Sequence, residues 1–147
     1  MKMTRPTFLS ALACLSLALA PIPALATVDE SHDYTMEAAT PFVEQGFIVR
    51  EDYWNGEVKS GQKLMISHQL FKGNEYAFWL GSVNDDVELD IKVYDEKGNA
   101  IQIDTKAGNH ALSIRVNPQK TGTYKIVFSL KSKKEEGVMW ALSYGYR

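Results

Sequence analysis

The chain has 147 residues, of which 45% are hydrophobic, 11% aromatic and 23% charged, a composition that suits one globular domain and argues against a long disordered tail. Sixteen Lys and Arg stand against 18 Asp and Glu. That balance supplies no broad positive field, so nucleic acid and anionic membrane surfaces are excluded as first expectations for a partner.

The chain opens Met1-Lys2-Met3-Thr4-Arg5, continues with an apolar run from Phe8 to Leu19, and reaches Ala24-Leu25-Ala26 with small residues around a candidate cleavage point. This order and size predict a secretory signal peptide over residues 1–26 and a periplasmic or extracellular product. The apolar run is too short for a permanent span, and no later stretch approaches the about 18 apolar residues that one requires. Removing 26 of the 147 residues leaves 121 and takes away Lys2 and Arg5, so 14 basic residues then face 18 acidic ones. The single cysteine, Cys14, lies in the leader. The processed chain is therefore expected to have neither a disulfide nor a thiolate nucleophile. Ala11-Leu12-Ala13-Cys14 admits a lipoprotein reading, but the apolar run continues past the cysteine and the bulky residue stands at the wrong offset.

Val28 through Asp33 is acidic and carries little apolar side chain, which predicts an arm; Tyr34 through Gln45 predicts a short helix or two, with Thr40-Pro41 as a cap followed by a first-turn proline. Beyond this segment the dominant signal is alternation. Val87 through Tyr94 places four aliphatics on one face, as a half-buried strand does. The same period marks Leu64 to Leu70, Tyr76 to Leu80, Ile101 to Ile103, Leu112 to Val116, Tyr124 to Leu130 and Val138 to Tyr146. A weaker candidate from Phe47 to Trp54 brings the count to eight.

Turn chemistry fills the gaps, at Asn55-Gly56, Ser60-Gly61, Lys72-Gly73-Asn74, Gly81 to Asp86, Glu96 to Asn99, Gly108-Asn109 and Asn117 to Gly122. Short strands punctuated about every ten residues predict a mainly β fold, a single antiparallel jelly-roll-like β-sandwich with a short N-terminal helix. Residues 27–55 would form the arm, helix and first strand, and 56–147 the sandwich core, the whole being one domain.

Leu70-Phe71-Lys72-Gly73-Asn74-Glu75-Tyr76, the run from Leu89 to Asn99, and Thr121-Gly122-Thr123-Tyr124 occur in this order after Gly61. Together they make residues 56–146 resemble the bacterial pre-peptidase C-terminal domain. The resemblance implies a secreted jelly-roll-like sandwich, often appended to exported proteases and related to collagen-binding modules. No protease precedes it here, so it implies fold and compartment rather than activity. Some relatives bind calcium through acidic residues, and Asp85, Asp86 and Asp90, beside Glu88, form the cluster that invites this. Calcium takes six to eight oxygen ligands, whereas alternation sends Glu88 and Asp90 to the solvent face.

His32, His68 and His110 have no metal-motif spacing. His68 shares the inward parity of Leu64 and Ile66, which predicts a buried neutral ring with a hydrogen-bond partner. Ser31-His32-Asp33, or Ser67 and His68 with a distant acid, could be written as a triad. Neighbours in a strand point to opposite faces, so Ser67 and His68 do not meet. There is no nucleophile elbow, and no specific carboxylate pair stands out for glycoside hydrolysis. Lys131 to Glu136 mixes signs and predicts a solvated hairpin tip.

Tyr53 and Trp54 beside the Asn55-Gly56 turn, with Trp79 and Tyr94 on the polar parity of their strands, are the candidate binding residues, because exposed rings stack on sugars or anchor protein partners. The alternative is that Trp54 caps the sandwich and Trp79 packs under the helix. The functional expectation is a non-catalytic exported binding or accessory module for a protein or polysaccharide. Alternatives are a calcium-stiffened adhesion-type module, or a small hydrolase or protease-associated inhibitor using His68 or His110.

Overall fold

The computed structural model describes residues 26–147; the predicted leader, Cys14 included, lies outside them apart from Ala26. The elements are α1 (Ala26–Val43), β1 (Ile48–Val49), β2 (Trp54–Lys59), β3 (Lys63–Leu70), β4 (Tyr76–Gly81), β5 (Val87–Tyr94), β6 (Asp104–Ala107), β7 (Ala111–Val116), β8 (Gly122–Ser132) and β9 (Gly137–Tyr146). The described residues are mainly β, with two antiparallel sheets packed as a sandwich and one helix. One sheet runs β1-β9-β4-β7-β6 with β2 also on β9, and the other runs β3-β8-β5.

The jelly-roll character lies in nested pairing. β2 pairs with β9, β3 with β8, and β4 with β7, as though one long hairpin had been wound into a sandwich. The fourth pair, β5 with β6, is reduced to the bridge Tyr94–Ala100 and the bond from Ile101 N–H to Val93 O at 2.9 Å. β6 has moved across to pair with β7.

Alternation fills the interior as predicted. Phe78, Leu80, Ile114, Ile126, Phe128, Leu130 and Leu142 are fully buried between the sheets, and each such side chain contributes about 1.5–3 kcal/mol of transfer free energy. The larger sheet is also buried on its outer face. There β4 presents Ala77, Trp79 and Gly81, and β9 presents Ala141, Ser143 and Gly145, all buried. The small residues make room for α1 and β1. A Cβ on Gly81 would meet Ser31 O at 2.5 Å, and one on Gly145 would meet Ile48 O at 2.5 Å.

α1 buries Ser31, Thr35, Ala39 and Phe42, whose spacing of four, four and three traces one helical stripe. Thr35 donates to His32 O at 2.7 Å, so its only hydroxyl proton is committed and Ser143, at 2.6 Å, donates to it. Val83 N–H donates to Ser31 Oγ at 3.1 Å. The helix ends in a Schellman motif: Phe47 N–H reaches Phe42 O at 3.1 Å and Gly46 N–H reaches Val43 O at 3.0 Å. Gly46 supplies the required positive φ of 93°, and Phe42 and Phe47 make the accompanying apolar contact edge to face at 5.5 Å.

Five expectations are corrected. Residues 28–33 are helix rather than arm, because the stripe that docks α1 is Ser, Thr and Ala, which does not read as apolar. Thr40 and Pro41 lie in the last turn of α1, not at a helix start, and Thr40 Oγ1 donates back to Met36 O at 3.2 Å. Asn55-Gly56 is not a turn but part of β2, which crosses the expected 55/56 boundary; Gly56 lies beside the Trp140 indole, where a Cβ would make ordinary van der Waals contact. The Phe47–Trp54 candidate divides into β1 and the start of β2. Ile101 and Ile103 turn toward the core but form no strand, and Asp104–Ala107 takes that place, which gives nine strands instead of eight.

Trp79 is fully buried beneath the helix, and its Nε1 has no hydrogen-bond partner. Trp79→Ala is expected to cost about 3–5 kcal/mol in urea unfolding. Trp79→Phe should cost markedly less, because no indole hydrogen bond is lost. Gly81→Ala should destabilise by about 1–3 kcal/mol through overpacking against α1. A neutral result there would mean that the helix does not hold this position in solution.

Candidate functional site

A cavity of about 680 Å³ opens at the end of the sandwich where the chain leaves β5 and crosses to β7. Its walls are the Asp95–Asn99 turn, the Ile101–Asp104 segment and the Asn117–Gly122 loop, with Tyr124, Arg115 and Glu75 between them. The cavity follows from the displaced β6, which leaves the two sheets unjoined on this side.

Its walls are rigid for local reasons. Asp95 Oδ1 accepts from Lys97 N–H at 2.9 Å and Asn99 N–H at 2.8 Å, and Gly98 takes a φ of 81°. The bonds from Asn99, and then from Lys97, hold the Asp95 carboxyl below the usual carboxylate range. Glu96 Oε1 accepts from Thr123 N–H at 2.9 Å, and a Cβ on Gly122 would lie 3.0 Å from that carboxylate. The glycine in Thr121-Gly122-Thr123-Tyr124 therefore lets the turn after β5 clip onto the start of β8. Tyr124 Oη donates to Lys120 O at 2.6 Å and ties down the third wall.

At the floor, Glu75 pairs with Arg115 at 3.2 Å and with Arg147 at 2.8 Å. Arg115 lies over the Phe42 ring at 4.8 Å, and Arg147 over Phe47 at 4.9 Å. Arg115 also bonds Gln45 Oε1, and Arg147 donates to Gln45 O at 2.7 Å. This cluster joins the helix C-terminus to the cavity floor. Among the described residues, the side chains of Gln102, Asp104 and Lys120 make no hydrogen bond or ion pair, which leaves them to meet a ligand. Lys97 and Lys120 stand against Asp95, Glu96 and Asp104, so the walls carry both signs.

The predicted aromatics are not brought together. Trp79 is buried under α1, so its expected exposure is corrected; its outward parity faces the helix rather than water. Tyr53 stacks on His32 at 3.7 Å. Trp54 is half-buried at the sheet edge, 5.8 Å from His68 and 5.5 Å from Tyr144. Tyr94 is partly exposed on β5, outside the cavity.

The proposed calcium residues separate as well. Asp85 lies 3.8 Å from His110, Asp86 3.2 Å from Lys134, and Asp90 3.9 Å from Lys92. Among the described residues no group of three or more His, Cys, Asp or Glu could hold a metal ion. Asp86 takes a φ of 53°, the left-handed region that non-glycine residues seldom enter.

Nor do the histidines assemble with a nucleophile. His32 and His110 stack on Tyr53 and Tyr34, clasping α1 from both sides. Ser31 faces Val83 while Asp33 is exposed. His68 is turned inward as expected, but ring contacts hold it rather than a hydrogen bond, chiefly Tyr144 at 4.5 Å. Tyr144 Oη donates to Asp52 at 3.2 Å. The cavity itself was missed by sequence reading, although two of its wall segments were recognised as turns.

No protein-family model matches the chain, and no curated protein matches it.

Burial pushes the His68 pKa down, with the Asp52 carboxylate opposing. The unfolded chain therefore binds this proton at higher pH than the folded one, and stability is lost as pH falls through the ordinary histidine range near 6.5. Urea unfolding between about pH 7 and 5 should show a smaller loss for His68→Phe than for the wild type. Equal losses would mean that the folded ring titrates as freely as in the unfolded chain.

Proposed function

We propose that the chain is an exported, non-catalytic binding module that seats a neutral polysaccharide segment in the cleft beside Tyr124. The observation that carries this reading is an open cavity whose walls offer carboxamides, carboxylates and ammonium groups of both signs. Hydroxyl-rich ligands both donate and accept, so they match such a lining, whereas a single-sign field would favour a charged ligand. Protein anchors are typically large rings or Arg seated in desolvated pockets. This cavity is lined by polar loops, and that favours the glycan over a protein partner.

A binding role also fits the state of the carboxylates. Glu75, Asp95 and Glu96 are engaged in bonds that hold the walls, and Asp95 is shifted opposite to the direction a general acid needs at neutral pH. The sandwich architecture and the resemblance to the pre-peptidase C-terminal domain support an accessory role. The leader-like first 26 residues support export. Among the described residues, no helix is long and apolar enough to cross a membrane.

The test is retention of the processed protein on insoluble cellulose, xylan and chitin, followed by amide shift mapping with soluble oligomers of whichever is retained. Perturbations should centre on Gln102, Asn117 and Lys120, and Gln102→Ala with Lys120→Ala should weaken binding by roughly tenfold or more, about 1.4 kcal/mol. Retention unaffected by that double substitution, or retention on none of the three, would overturn the assignment.

A further inference from the structure

α1 packs on β9, β4 and β7 of the larger sheet, whereas on the outer face of β3-β8-β5 Lys63, Met65, Ser67, Lys92 and Lys125 are exposed. Register fixes what that face displays. Met65 pairs with Val127 and Val127 with Lys92; in the next row Ser67 pairs with Lys125 and Lys125 with Tyr94. Lys63 and Lys131 stand beyond the first row, with Glu88 and Asp90 at the β5 margin. Met65 is 57% exposed, and Val127 and Tyr94 are partly exposed.

Four lysines thus meet two carboxylates on one face, although the whole chain is net acidic. Only Asp90 and Lys92 form an ion pair there, at 3.9 Å, both well exposed, and such a pair holds little energy. We propose that this face docks a linear anionic polysaccharide of the polyuronate class. The excess of lysine is complementary to carboxylates repeated along a polymer. Met65, Val127 and Tyr94 offer a strip on which the apolar faces of sugar rings can lie. An exposed three-stranded face with charges spaced along its strands suits a ribbon-like chain. The site is separate from the cleft, whose ligand is neutral.

The probe is polygalacturonate, measured by calorimetry with the processed protein. Binding should appear at low ionic strength and weaken steeply as salt is raised, because exposed charges are screened. Lys92→Gln with Lys125→Gln should weaken it by roughly tenfold or more, and Tyr94→Ser should weaken it at every salt concentration. All three positions lie on the outward face, and unchanged melting temperatures would show that the variants fold. The cleft substitutions Gln102→Ala and Lys120→Ala should leave polygalacturonate binding as it is, which separates this site from the cleft. Absence of binding at low salt, or full binding by the Lys92 and Lys125 variant, would overturn the proposal. So would equal or tighter binding of polyglutamate or single-stranded DNA.

Discussion

The larger sheet is sealed on both faces, and this constraint governs much of the molecule. A sheet covered on one side needs only alternation, but one covered on both must make its second face small enough for a helix to approach. Ala77, Gly81, Ala141 and Ser143 meet that need, Gly145 makes room for the β1 backbone at Ile48, and Trp79 is the single large side chain under Phe42. The Schellman turn at Gly46 then returns the chain to the sheet edge as β1. Arg115 and Arg147, fixed by Glu75, close over the two phenylalanines of that turn. Helix docking and the cavity floor are in this way one construction.

Much of the sandwich was legible because burial on one face writes a period of two into the chain. β3, β5 and β8, whose outer faces meet water, could be read almost residue by residue. β4 and β9 carried a second message in their outward positions, which are Ala, Ser and Gly where exposed strands carry charge. Trp79 was assigned to the polar side because parity reports which face a residue occupies and not what lies against that face. The helix was underestimated for a related reason: Ser31 and Thr35 pack as small residues whose hydroxyls find partners, while hydropathy counts them as polar.

The candidate site was less legible, since it is assembled from segments far apart in sequence. Turn residues at Asp95–Asn99 and Asn117–Gly122 were visible individually. Their meeting depends on β6 leaving its expected neighbour, and Ile101 and Ile103 alternate in the same way whether or not they pair with β5. Thr121-Gly122-Thr123-Tyr124 illustrates the limit. Its tyrosine announces a strand, but the need for glycine appears only once the Glu96 carboxylate is seen to occupy the space of a side chain.

The incomplete fourth pair has a consequence for colloidal behaviour. Above the Tyr94–Ala100 bridge, β5 is zipped to a neighbour on one side only, so the native molecule carries a length of backbone with open valences, a seam at which copies could join. Two such seams meeting head to tail about Asp90 would bring identical carboxylates face to face and set Glu88 opposite Lys92. In that register the aspartate at the middle of β5 sets a like-charge contact against the seam, while the two Glu88–Lys92 contacts favour it, so the three side chains together decide whether copies join there.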